Sequence, residues 1–311
     1  MLHERSDFTE LLTQVGESSG AGAGIVEKDY WVTEALRVIA DSFFDGVVFK
    51  GGTSLSKAWG LIARFSEDID LLVRTDGGRL ATRGARDRYL KEIAGAVAGI
   101  GGLEPQSEGQ SSRGISRTAV LAYEPRTPTP GLSPTIVLEM GVRGGPHPVE
   151  TRALTSMLAD AFAGTGVEDE SLSAFAMVVL HPRRTFVEKL FAINSACELF
   201  SEGRESALAR PTRHLADLYF LLGDPDVAEF IGSKEYRDLL PEVDAISNEH
   251  FPRDHRAPTE MRFAGSRALA PEGGLRTAIE ADYARSGVLF YGDRPDLAAI
   301  YERIAEVADR L

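Results

Sequence analysis

The stretch Val47–Arg74, VVFKGGTSLSKAWGLIARFSEDIDLLVR, sets two short apolar segments on either side of a glycine pair. Val47, Val48 and Phe49 read as a strand running into Gly51 and Gly52, after which Thr53 and Ser54 open about three turns of helix. A second strand begins near Phe65 and carries Ser66, Asp68 and Asp70. Side chains alternate faces along a strand, so these three share one face while Ile69 and Leu71 enter a core. Glycines let backbone amides approach phosphate closely, and a helix N-terminus supplies donors and positive potential. Two carboxylates beside such a turn suit Mg²⁺ (or Mn²⁺), a hard cation that takes a few protein oxygens and completes its shell with substrate phosphates. Asp68 and Asp70 are therefore candidate metal ligands. Gly51, Gly52, Thr53, Ser54, Lys57 and Ser66 are candidate nucleotide-binding residues. Taken singly, Gly-Gly is often only a turn and Asp-x-Asp only a solvated strand face; the order and spacing together make a site.

That order, GG-[TS] followed by [DE]-x-[DE], resembles the signature of the nucleotidyltransferase superfamily related to DNA polymerase beta, although the spacer Ser54–Glu67 is slightly longer than is usual there. The longer run KGGTSLSKAWGLIARFSEDIDL resembles the AbiEii/AbiGii (MenT-like) toxin family within it. The resemblance implies an α+β fold: a mixed nucleotidyltransferase-type sheet flanked by helices, with a mainly helical C-terminal region. It also implies metal-dependent nucleotide transfer from a nucleoside triphosphate, with the 3′ end of tRNA as acceptor and a cognate antitoxin as partner. A phosphate on Ser66 would place roughly two negative charges beside the metal site, which makes Ser66 a candidate point of control.

Composition sets outer bounds. The 311 residues carry 43% hydrophobic and 26% charged side chains, ordinary for a globular chain long enough for two subdomains. No apolar run spans a bilayer, the acidic start MLHERSDFTELL is not a secretory signal, and one cysteine excludes an internal disulfide. A cytoplasmic setting and no membrane partner are the expectations. A formal net charge of −13 argues against bulk affinity for nucleic acid, so an RNA acceptor needs a local basic patch.

Outward from the central stretch, Phe8–Val15 reads as a short helix, residues 16–24 as a small-residue linker, and Ile25–Phe44 as a long amphipathic helix. Its Glu27, Lys28 and Asp29 read as a charged face, with Asp29 lining a cleft as the alternative. Arg79–Ile100 reads as a helix whose Arg79, Arg83 and Arg86 share a face that can hold RNA phosphates or simply be solvated. Thr118–Tyr123 and Thr135–Val142 read as strands. Glu139, opposite the apolar face of the second, is costly without a partner; the resemblance implies a third carboxylate there that activates the acceptor hydroxyl or completes the metal site.

Glu150–Gly164 reads as a helix and Phe175–Leu180 as a strand. In the following helix Phe186, Leu190, Ile193 and Cys197 form a buried stripe bordered by Lys189, which can snorkel to water or reach a triphosphate. The resemblance favours the latter, through the Thr185–Lys189 context. In Arg213–Leu222, Asp217 reads as a surface partner of Arg213, while the resemblance implies a cleft aspartate. His214 has no catalytic partner near it in sequence. Val288–Tyr291 reads as a short apolar segment before a final helix. The domain expectation is residues 1–150 as the nucleotidyltransferase domain and 151–311 as a mainly helical domain completing the active-site cleft.

Walker-type, H-E-x-x-H and G-x-S-x-G sequences are absent. Two other readings stay open: a nucleotidyltransferase acting on a small molecule or a protein, and a non-catalytic nucleotide- or partner-binding module on the same scaffold.

Overall fold

A computed structural model describes residues 1–62, 64, 68–75, 78, 80–106, 111–209, 211–285, 290 and 292–311. The chain divides into two compact units, Met1–Ala58 with Phe65–Leu180, and Trp59–Arg64 with His181–Leu311.

The first unit is built on a mixed seven-stranded sheet in the order β3-β4-β5-β2-β1-β7-β6. Its centre is β1 (Val47–Lys50), which pairs antiparallel with β2 (Asp68–Val73) and parallel with β7 (Phe175–Leu180). Strand β2 in turn pairs parallel with β5 (Thr135–Gly141). Strand β4 (Ser116–Tyr123) joins β5 to β3 (Leu103–Pro105), and β6 (Val149–Leu154) closes the other edge. Val47, Val48 and Phe49 are all buried, as expected of a strand covered on both faces. One face of the central strands is wholly apolar: Phe49, Ile69, Leu71, Ile136, Leu138 and Met140. On the other, Val48, Leu72, Val178 and Leu180 make a small cluster at one end, and Asp68, Asp70 and Glu139 lie further along it beside Val137.

Helix α1 (Phe8–Ser19) runs further than the sequence suggests, through the first part of the small-residue stretch. The stretch is an interface rather than a linker: a Cβ on Gly16 would lie 2.4 Å from the backbone nitrogen of Ala23, at the start of α2 (Ala23–Phe43). Helix α3 (Gly51–Lys57) has two turns, not three, and α4 spans Arg83–Ala98. The expected helix over 150–164 is a correction. Residues 149–154 form β6, paired from Val149 to Leu154 with β7, and only α5 (Met157–Phe162) is helical, started by the Ser156 hydroxyl accepting from Ala159 N–H. Strand β6 straddles residue 150 and β7 lies beyond it, and both pack with the first unit.

The second unit is helical. Helix α6 (Pro182–Ser201) is its axis, with α7 (Arg213–Leu222), α8 (Pro225–Phe230), α9 (Lys234–His250) and α10 (Gly273–Arg285) packed against it; α11 (Leu297–Ala305) packs on α7. The expected stripe Phe186, Leu190, Ile193 and Cys197 is buried throughout. No helix among the described residues is long and apolar enough to cross a membrane. Of the short apolar segment Val288–Tyr291 only Phe290 is among the described residues, where it forms an isolated antiparallel bridge with Arg64.

Candidate active site

In the sheet unit, register brings the polar residues into one row. Lys50 lies opposite Asp70 on β2, Asp70 opposite Glu139 on β5, and Glu139 opposite Thr118 on β4. Paired residues of neighbouring strands present side chains to the same face, so Lys50, Asp70 and Glu139 stand side by side, with Asp68 two residues along the same strand face. All of them are only partly buried.

The glycine turn is fitted to this row. Gly51 has φ +78°, and a Cβ there would lie 2.0 Å from Asp70 Oδ2 and 2.8 Å from its Cγ. Only glycine permits both the backbone conformation and a carboxylate at that distance. Thr53 Oγ donates to the backbone oxygen of Asp68 at 2.5 Å, tying α3 to β2, and Ser54 Oγ donates to Gly51 O at 2.9 Å. Both hydroxyl protons serve backbone acceptors. Gly51→Ala is accordingly expected to destabilise the fold by about 1–3 kcal/mol and to cut turnover at least tenfold by displacing Asp70. Denaturant unfolding and steady-state kinetics check this together.

At the other end of α3, Lys57 Nζ is held by Asp29 Oδ1 at 2.6 Å, and Met157 N–H donates to Asp29 Oδ2 at 2.7 Å. Lys57 is thus given to a buried ion pair. The charged face read at 27–29 is buried. Glu27 is 1% exposed and accepts from Arg126 N–H, Thr127 N–H and Thr127 Oγ, and Lys28 and Asp29 are buried too. Apolar neighbours on every side of these three residues were the signal for this.

Two hard-oxygen carboxylates on alternate positions of one strand face fit a cation that keeps water and phosphate ligands. Among the described residues no group of three or more His, Cys, Asp or Glu side chains is placed to hold a metal ion by itself. Ser66 lies outside the described residues, as does Arg79. Arg86 of the expected basic face is engaged structurally, Nε donating to Gly114 O at 2.9 Å and Nη1 to Leu80 O at 3.2 Å. Arg83 and Arg88 stay exposed, while the likewise exposed Lys91 pairs with Asp87.

In the helical unit, Lys189 and Asp217 meet. Asp217 is fully buried, not on the surface, and pairs with Arg64 and Lys189. Arg64, 1% exposed, grips it with two bonds of 2.7 Å, Nε to Oδ1 and Nη2 to Oδ2. Lys189 Nζ donates to Asp217 Oδ2 at 2.7 Å and lies 3.1 Å from His214 Nδ1. Burial alone would raise the Asp217 carboxyl, but the Arg64 and Lys189 charges outweigh it and hold the group well below the usual carboxylate range. Burial likewise lowers Lys189, against the attraction of Asp217. Burial and the Lys189 charge push the His214 imidazole down to about 3, so it is neutral at pH 7. Arg64 escaped the sequence reading although it sits inside the central stretch; its partner is 153 residues away.

Two comparisons bear on what this arrangement belongs to. MenT4, a nucleotidyltransferase toxin from Mycobacterium tuberculosis, has a similar fold, with a TM-score of 0.63 over 97% of this chain and 90% of that one at 19% identity. No curated protein matches the chain. The model of the nucleotidyl transferase AbiEii toxin family, a type IV toxin–antitoxin system, matches residues 35–307, which include the glycine turn, both strand aspartates, Glu139, Lys189 and Asp217. The chain belongs to the AbiEii family of nucleotidyltransferase toxins.

Proposed function

We propose that this toxin transfers a nucleotidyl group from a nucleoside triphosphate to the 3′ end of tRNA, in the cytoplasm, and that a cognate antitoxin restrains it. The observation that carries the reading is the fit of Gly51 to Asp70, which joins a phosphate-type turn to the strand carrying both aspartates.

Asp68 and Asp70 would hold Mg²⁺ or Mn²⁺, which when bound neutralises triphosphate charge and polarises the α-phosphate. The α3 amides orient the phosphates. Glu139 takes the proton of the acceptor hydroxyl as its oxygen bonds to the α-phosphorus and the bond to the β-phosphate oxygen breaks, releasing pyrophosphate. Two of the three Lys189 Nζ protons have acceptors among the described residues, Asp217 and His214; the third is assigned to a phosphate oxygen. Asp217, held as an anion by Arg64 and Lys189, is a poor base and serves to place Lys189.

Incubation of the full chain with tRNA, Mg²⁺ and each labelled triphosphate in turn is expected to label the tRNA 3′ end, and EDTA to abolish labelling. The net charge of −13 and the engagement of Arg86 favour a second acceptor class, a small molecule or protein. Label appearing there, and not on tRNA, would select it. Failure of every triphosphate to label anything or to shift the melting temperature with Mg²⁺ would overturn the catalytic reading.

A further inference from the structure

The Lys189 cluster carries a second donor group, His214, that the reaction does not use. His214 Nδ1 lies 3.1 Å from Lys189 Nζ and 3.5 Å from Asp217 Oδ2. The shorter contact decides the tautomer. An ammonium can only donate, so Nδ1 must accept and the ring proton resides on Nε2. His214 is the most open member of the cluster: its side chain is 21% exposed, against 6% for Lys189 and 0% for Asp217. Among the described residues Nε2 has no hydrogen-bond partner. The spare proton of Lys189 and the Nε2–H of His214 are thus two donors on adjacent groups, one charged and one neutral.

We infer that His214 binds ligand: its Nε2–H donates to a phosphate oxygen of the nucleoside triphosphate beside Lys189, as a neutral, tautomer-locked donor. A neutral donor suits this place. A second full positive charge next to Lys189 and Arg213 would be repelled, and burial together with those two cations outweighs Asp217 and keeps the imidazole uncharged across the physiological range. The inference rests on the assignment of Lys189 to phosphate.

The two ring nitrogens can be tested separately. Asparagine places its amide near the Nδ1 position and glutamine near Nε2. A packing role rests on Nδ1, so it predicts that His214→Asn is the better tolerated change. A ligand role predicts the reverse. H214N should raise the KM for triphosphate about tenfold, the loss of one hydrogen bond to a charged group, with kcat within about threefold. H214Q should recover most of that affinity. Nitrogen-15 NMR of the wild-type protein should show the Nε2–H tautomer with no titration between pH 5 and 8, and inorganic pyrophosphate should shift the Nε2 resonance. An Nδ1–H tautomer, titration near pH 6.5, or an H214N KM equal to wild type would overturn the inference. Lys189→Met is the control. If it leaves KM and turnover unchanged, the phosphate assignment of Lys189 is wrong; if it cripples the enzyme while H214N does not, only the His214 inference fails.

Discussion

Asp68→Ala is expected to lower nucleotide transfer at least about a thousandfold and to leave the melting temperature within a few degrees of wild type. The size of the first effect follows from what the carboxylate does. Charge stabilisation in a preorganised site is usually the largest single contribution to a transfer of this kind, and removing one element of it costs on the order of 10²–10³ even where others remain. A carboxylate needed to retain the metal is expected at or beyond the upper end. The smallness of the second effect follows from the local bonding. Thr53 fastens α3 to β2 through the backbone oxygen of Asp68, not through its side chain, so alanine keeps that tether. The carboxylate is only partly buried and shares a strand face with Asp70 and Glu139. Deleting one of three like charges relieves repulsion, and functional groups of this sort are often neutral or unfavourable for the fold. Turnover within tenfold of wild type at saturating Mg²⁺, with the variant folded by circular dichroism, would sink the assignment of Asp68 to the metal. A variant that is inactive because it is unfolded would instead show that the side chain is structural.

The legible parts of this chain were those governed by short-range pattern. Val47–Phe49 is uniformly apolar and proved a central strand; the alternation in residues 135–141 gave β5 and the face of Glu139; the stripe from Phe186 to Cys197 gave α6. Helix α7 was bounded to the residue. What pattern did not reach was long-range pairing. Residues 149–154 form a strand because β7 supplies a partner edge, and nothing in VETRAL alone outweighs its helix-compatible spacing. Glu27, Lys28 and Asp29 look like a wet helix face until it is known that Arg126, Thr127, Lys57 and Met157 meet the first and the last. Within the candidate site the division is the same. Asp68 and Asp70 share a strand face as their spacing promised, and Glu139, named through the resemblance, pairs with Asp70. The hydroxyls of Thr53 and Ser54 and the ammonium of Lys57 went to structural bonds, because each lies within reach of a local backbone oxygen or a buried carboxylate.

Asp217 is where the two kinds of reading diverge most in energy, and its replacement is expected to have the largest effect on the fold. As a surface partner of Arg213 four residues away it would contribute a few tenths of a kcal/mol. As observed, it is fully buried and is the shared counter-ion of Arg64 and Lys189. Asp217→Ala would leave both cations buried beside an empty space, and breaking a buried pair by removing one partner costs about 3–5 kcal/mol. For a chain of this size that is a fall in melting temperature of roughly 6–20 °C. The deficit should persist across the neutral range. The folded carboxyl is held below its ordinary 3.8, so its contribution is complete above that value and is lost only as the pH drops through the lowered one. Wild type and variant should therefore differ by a constant amount from pH 5 to 8 and converge only in strong acid. Combining Asp217→Leu with Arg64→Met and Lys189→Met, which removes every charge of the cluster, should restore much of the stability, since apolar replacement of a buried ion group is often close to neutral. It should not restore transfer, because Lys189 is gone. A loss under 1 kcal/mol for Asp217→Ala would mean that the carboxylate is solvated in solution and that the fork with Arg64 does not hold Lys189 in place.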